Sequence, residues 1–120
     1  MANNEINKFN NIIDEMIQKS HLTHRQLEII LNKKKIMYSH INITSGAYYR
    51  QIKQIKIKLY KMHYTLIVLF YFGIINDEKI NNISKLSKQL SKIKYTNKNI
   101  VNDNKIISVI NQFIDQLNLV

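Results

Sequence analysis

Two glycines and no proline in 120 residues leave this chain few ways to turn. An all-β fold reverses direction every roughly 8–12 residues, and its tight turns draw heavily on glycine and proline. Long helices with few reversals are what remains. Cysteine is absent too, which removes disulfides and thiolate metal sites and is compatible with a reducing compartment. With 45% apolar and 22% charged residues, the composition is that of a folded domain and not of a disordered basic tail. The length fits one domain with a modest core.

Apolar periodicity divides the chain into five helices. Ile6, Phe9, Ile12, Ile13, Met16 and Ile17 predict a helix over 3–18. Thr23 and Gln26 form a capping box, stapled by Leu22 and Leu27, and open a second helix over 24–34 with Leu27, Ile30 and Leu31 inward. Residues 36–43 read equally well as a short helical turn or as an irregular connection. Thr44 or Ser45 then caps a third helix over 46–72. Tyr48, Ile52, Ile55, Leu59, Met62, Leu66 and Phe70 share one face of it, and Gly73 is its expected terminator. The rival is a strand pair, because Ile55 to Leu59 alternates with period two, but no turn signal separates Ser45 from Phe72. Ile80, Ile83, Leu86, Leu90 and Ile93 mark a fourth helix over 78–94. After a polar break at Thr96 to Asn99, Asn102 or Asp103 caps a last helix ending near Leu119. The expected fold is an all-α, five-helix single domain.

The apolar run Tyr64 to Ile75 rises roughly 18 Å as helix, short of the ~30 Å hydrocarbon core of a bilayer. It therefore predicts a core helix surrounded by others. The opening MANNEINKFNN has no basic stretch followed by an apolar one, so no signal peptide is expected.

Charge is the second constraint. The net charge is +10, and +9 of it lies between Lys19 and Lys61, where Glu28 is the only acid. Localised positive charge of this kind is the footprint of a polyanion partner. Leu22 to Lys61 also has the order of a helix-turn-helix unit, with a capped helix, a connection, and a basic helix that begins with aromatics. Leu22-Thr23-His24-Arg25-Gln26-Leu27-Glu28 and Ile43-Thr44-Ser45-Gly46-Ala47-Tyr48 through Leu59 resemble the helix-turn-helix domains of sigma-factor and response-regulator type. Ile36 to Ile41 stand where that family has a middle helix. The resemblance spans about a third of the chain and implies a recognition helix in the major groove.

The candidate nucleic-acid contacts are Arg25, Lys33, Lys34, Lys35, Ser45, Tyr49, Arg50, Lys53, Lys56, Lys58 and Lys61. Arg50 has the fork that pairs with guanine O6 and N7, whereas the lysines suit phosphates. His21, His24, His40 and His63 lack the partners of a metal site, so no metal or cofactor is expected. Asp14-Glu15 and Asp77-Glu78 are neighbours in sequence and do not face each other, and no phosphate loop or nucleophile motif is present, so no enzyme is expected. The expected function is double-stranded DNA binding, as a small transcription regulator or chromatin-type protein in the cytoplasm or nucleoid. An RNA- or ribosome-associated basic protein, or a basic protein-interaction module, is the alternative. A homodimer through the terminal helices is expected, with Ile110 and Phe113 of the last one at the seam. Neither a membrane nor a small-molecule substrate is expected as a partner.

Overall fold

The computed structural model describes residues 11–92 and 100–120, and all its regular structure there is helical. The helices are α1 (Asn11–Lys19), α2 (His24–Lys33), α3 (Ser45–Tyr71), α4 (Asp77–Ser91) and α5 (Ile100–Leu117). Residues 55–59 and 64–71 are part of α3, which removes the strand alternative. Residues 3–10 of the predicted first helix lie outside the described residues, as do Ile93 and the break at Thr96 to Asn99. The chain forms two compact units, residues 1–62 and 63–120.

In the first unit, Ile12 and Ile17 of α1, Ile29 of α2 and Ile55 of α3 are buried. The start of α2 follows the sequence signal. Gln26 N–H donates to Thr23 Oγ1 at 3.1 Å, and Thr23 N–H donates back to Gln26 Oε1 at 3.2 Å. The inward face is rotated from the expected one, however. Gln26 and Ile29 are buried, while Leu27, Ile30 and Leu31 are only half-buried. The cause is polar. Gln26 Nε2 donates to Gln51 Oε1 at 3.1 Å and to Gln54 Oε1 at 3.3 Å on α3. The capping-box glutamine is thereby drawn into the core, and a buried polar group this well supplied with partners costs little.

The end of α2 is a Schellman turn, with Ile36 N–H donating to Leu31 O at 2.9 Å and Lys35 N–H to Asn32 O at 3.1 Å. The left-handed position is held by Lys35, at φ 58°, where glycine is usual. Beyond it, residues 37–44 have no regular structure, so the connection is irregular and not a short helix. Asn32 fastens it: its side-chain amide donates to Ser39 O at 3.0 Å and accepts from Ser39 N–H at 2.9 Å. Thr44 then caps α3, its Oγ1 accepting from Ala47 N–H at 3.1 Å.

In the second unit, α3 stops at another Schellman turn. Gly73 sits at φ 70°, and Ile74 N–H donates to Leu69 O at 2.9 Å. Asn76 caps α4 through its side chain, at 2.9 Å from Lys79 N–H. The last helix starts at Ile100, ahead of the expected cap at Asn102 or Asp103. Asp103 instead sits in the first turn, where its carboxylate complements the helix dipole. The apolar run at the end of α3 is not enclosed as expected. Tyr64, Ile67, Val68, Phe70 and Tyr71 are exposed, and Ile75 is the one buried side chain described in this unit. None of the side chains of α4, the helix that follows, is buried.

Candidate nucleic-acid interface

The length of α3 and its cap position the basic side chains. Over its 27 residues α3 has no Asp or Glu, and its cations Arg50, Lys53, Lys56, Lys58 and Lys61 lie in its first two-thirds. At 100° per residue, Arg50, Lys53, Lys56 and Lys61 fall roughly 100–160° away from the buried Ile55, and all four are exposed. Tyr49 joins them at 69% exposure, while its neighbour Tyr48 turns inward, half-buried. The two rings meet edge to face with centroids 5.7 Å apart. Ser45, in the first turn of α3, lines an open cleft of about 360 Å³ together with Asn32, Ser39, Tyr48 and Tyr49.

Lys58 is placed differently. It is half-buried, and its ammonium donates to Gln26 Oε1 at 2.7 Å and to the carbonyl of His21. This charge ties α3 to the start of α2 and turns away from the exposed basic face. Lys58 lies three positions from Ile55, on the same side of the helix, and its partners His21 and Gln26 lie 37 and 32 residues away in sequence.

Lys33, Lys34 and Lys35 are exposed at the end of α2, followed by exposed Ile36 and by Tyr38 at 77% exposure. Arg25 is exposed at the other end of α2. The candidate residues thus form an exposed set on α3 and a second at the end of α2, both within the first unit. The irregular stretch 37–44 occupies the place where the resemblance puts a middle helix. A helix-turn-helix joins its two helices by a turn of roughly 3–4 residues, far shorter than the connection over 34–44.

His24 Nε2 lies 3.0 Å from Asp14 Oδ1, a pairing between α2 and α1 that sequence spacing did not suggest. It joins two helices and lies beside Arg25 in sequence. Among the described residues, no three His, Asp or Glu side chains converge as a metal site does. No helix described is long and apolar enough to cross a membrane. No protein-family model, curated protein or solved structure matches the chain, so the site is read from its own residues alone.

The left-handed Lys35 yields a test that separates charge from fold. A non-glycine residue at positive φ carries a conformational cost that glycine avoids. Lys35→Gly is therefore expected to stabilise the chain by about 0.5–1 kcal/mol, measured by urea unfolding, after allowing for the added freedom of the unfolded state. The same change removes one cation from the end of α2, so affinity for a polyanion is expected to fall while stability rises. A loss of stability would show that Lys35 makes contacts worth more than its strain.

Proposed function

We propose that the chain binds double-stranded DNA through the exposed basic face of α3, with Lys33, Lys34 and Lys35 adding phosphate contacts beside it. The observation that carries this reading is the acid-free α3, whose Arg50, Lys53, Lys56 and Lys61 share one exposed side. A helix of this width fits the major groove, where Arg50 can read guanine and lysines can reach the flanking phosphates. Arg50 is the only arginine on α3. With that single fork and an irregular segment in place of a middle helix, backbone contacts outweigh base reading. A chromatin-type protein of low sequence specificity fits this balance better than a regulator with a sharply defined operator.

RNA is the second reading, favoured by one observation. Tyr38, Tyr49 and Tyr60 are 77%, 69% and 65% exposed, and tyrosine faces suit the stacking of unpaired bases. Competition at fixed salt between duplex DNA, single-stranded DNA and a structured RNA decides between the two. Duplex DNA is expected to compete best. A clear preference for single strands, abolished by Tyr49→Ala, would instead assign the face to stacking.

A further inference from the structure

The outer side of α3 carries a second pattern, which continues the basic face toward the end of the helix. Ile57, Tyr60, Tyr64, Ile67 and Tyr71 recur at alternating steps of three and four, the spacing by which one helix presents a seam to another. They are 47%, 65%, 55%, 60% and 81% exposed. Val68, half exposed at 50%, widens the stripe, and Tyr71 packs edge to face on Phe72 with centroids 5.0 Å apart. Residues 62–76 contain no Lys, Arg, Asp or Glu.

We propose that this stripe is the interface with a second copy of the chain, the two α3 helices packing antiparallel around Ile67. Three observations favour a second copy as the occupant. The first is area: Tyr60, Tyr64, Ile67, Val68 and Tyr71, each exposing on the order of 100 Å² or more, supply much of the ~800 Å² per partner that a stable interface buries. The second is charge. A chain of net charge +10 repels its own copy, and the stripe over 62–76 is the stretch where that repulsion is locally absent. Antiparallel packing around Ile67 keeps the α3 lysines of the two copies apart, whereas parallel packing would stack Lys53 on Lys53 and Lys61 on Lys61. The third is the core of the unit over 63–120. Among its described side chains Ile75 alone is buried, and covering the stripe adds apolar burial to this unit. On α5, Ile110 and Phe113 are half-buried and belong to the inner side of the helix, while Val109 and Ile114 are 54% and 56% exposed. The seam is therefore assigned to α3 and not to the last helix. It does not rest on nucleic-acid binding.

Sedimentation equilibrium of the full chain is expected to show a monomer–dimer equilibrium. Ile67→Glu with Tyr71→Glu is expected to raise its dissociation constant at least 100-fold with helical circular dichroism retained. Val109→Glu with Ile114→Glu on α5 is expected to leave the dimer in place. Because the chain has no cysteine, a second measurement is available that does not depend on disruptive variants. Under mild oxidation, Ile67→Cys is expected to give a disulfide-linked dimer and Lys53→Cys to remain monomeric. Four outcomes would overturn the proposal: a wild-type chain monomeric at every concentration, a monomeric chain that binds neutral lipid vesicles through this face, loss of the dimer with the α5 variant alone, or equal cross-linking at positions 53 and 67.

Discussion

Raising salt from 50 to 200 mM is expected to weaken duplex DNA binding by roughly three orders of magnitude. Arg50, Lys53, Lys56 and Lys61 on α3, with two of the three lysines at 33–35, amount to about six phosphate contacts. Each contact contributes a slope of about −0.9 in log affinity against log salt, which sums to roughly −5. Lys53→Ala with Lys56→Ala is expected to make that slope shallower by roughly 2 and to weaken binding to all sequences alike. Both side chains are exposed, so the fold has little reason to change. Arg50→Ala is expected to act differently. It reduces the preference between sequences, by about 1–3 kcal/mol at a favoured site, because a bidentate guanine contact is lost. Lys58→Ala is the internal comparison: its ammonium is engaged by Gln26 and His21, so it is expected to reduce stability more than the salt slope. If slope and affinity are untouched by the α3 lysines yet fall with those at 79, 85 and 88, the basic face of α3 is only a solvated surface.

The parts of the fold that were legible in the sequence are those whose partners lie a few residues apart. Thr23 with Gln26 and Gly73 at a helix end are local hydrogen-bonding solutions, so the residue types alone announce them, while the cap of α3 narrows only to Thr44 or Ser45 on the same ground. Helix identity followed from apolar spacing and from the lack of turn residues. The rotation of α2 was not legible, because Gln26 is drawn inward by Gln51, which lies 25 residues further on. Lys58 was misleading for the same reason, its acceptor at His21 being 37 residues away. Lys35 shows a different limit. A Schellman turn is normally read from glycine, and a lysine in the left-handed position gives no signal. The apolar run after Leu66 shows a third. Composition says that such a segment must be covered, but whether the cover comes from the same chain is a property of its neighbours, and none of the side chains of α4 is buried.

Gln26 gives the largest expected effect on stability. It is 1% exposed, and it receives or donates five hydrogen bonds: from its own N–H to Thr23, from its amide to Gln51 and Gln54, and to its oxygen from Thr23 N–H and Lys58. Gln26→Leu keeps most of the volume and the first of these bonds, but removes the other four. Gln51 and Gln54 can turn to water, being half-buried and exposed. The half-buried Lys58 ammonium cannot do so as freely and keeps only the His21 carbonyl among these acceptors. Leaving a charged donor short of an acceptor costs more than a neutral hydrogen bond is worth, so Gln26→Leu is expected to destabilise by about 2–3 kcal/mol. For a chain of this size that lowers the urea midpoint by roughly 1–2 M. Removing both partners is expected to cost less than the separate losses imply. In a cycle with Lys58→Met, the double variant should be more stable than the sum of the singles by about 1 kcal/mol or more, since no stranded ammonium remains. Strict additivity would mean that Lys58 finds water as readily as it finds Gln26.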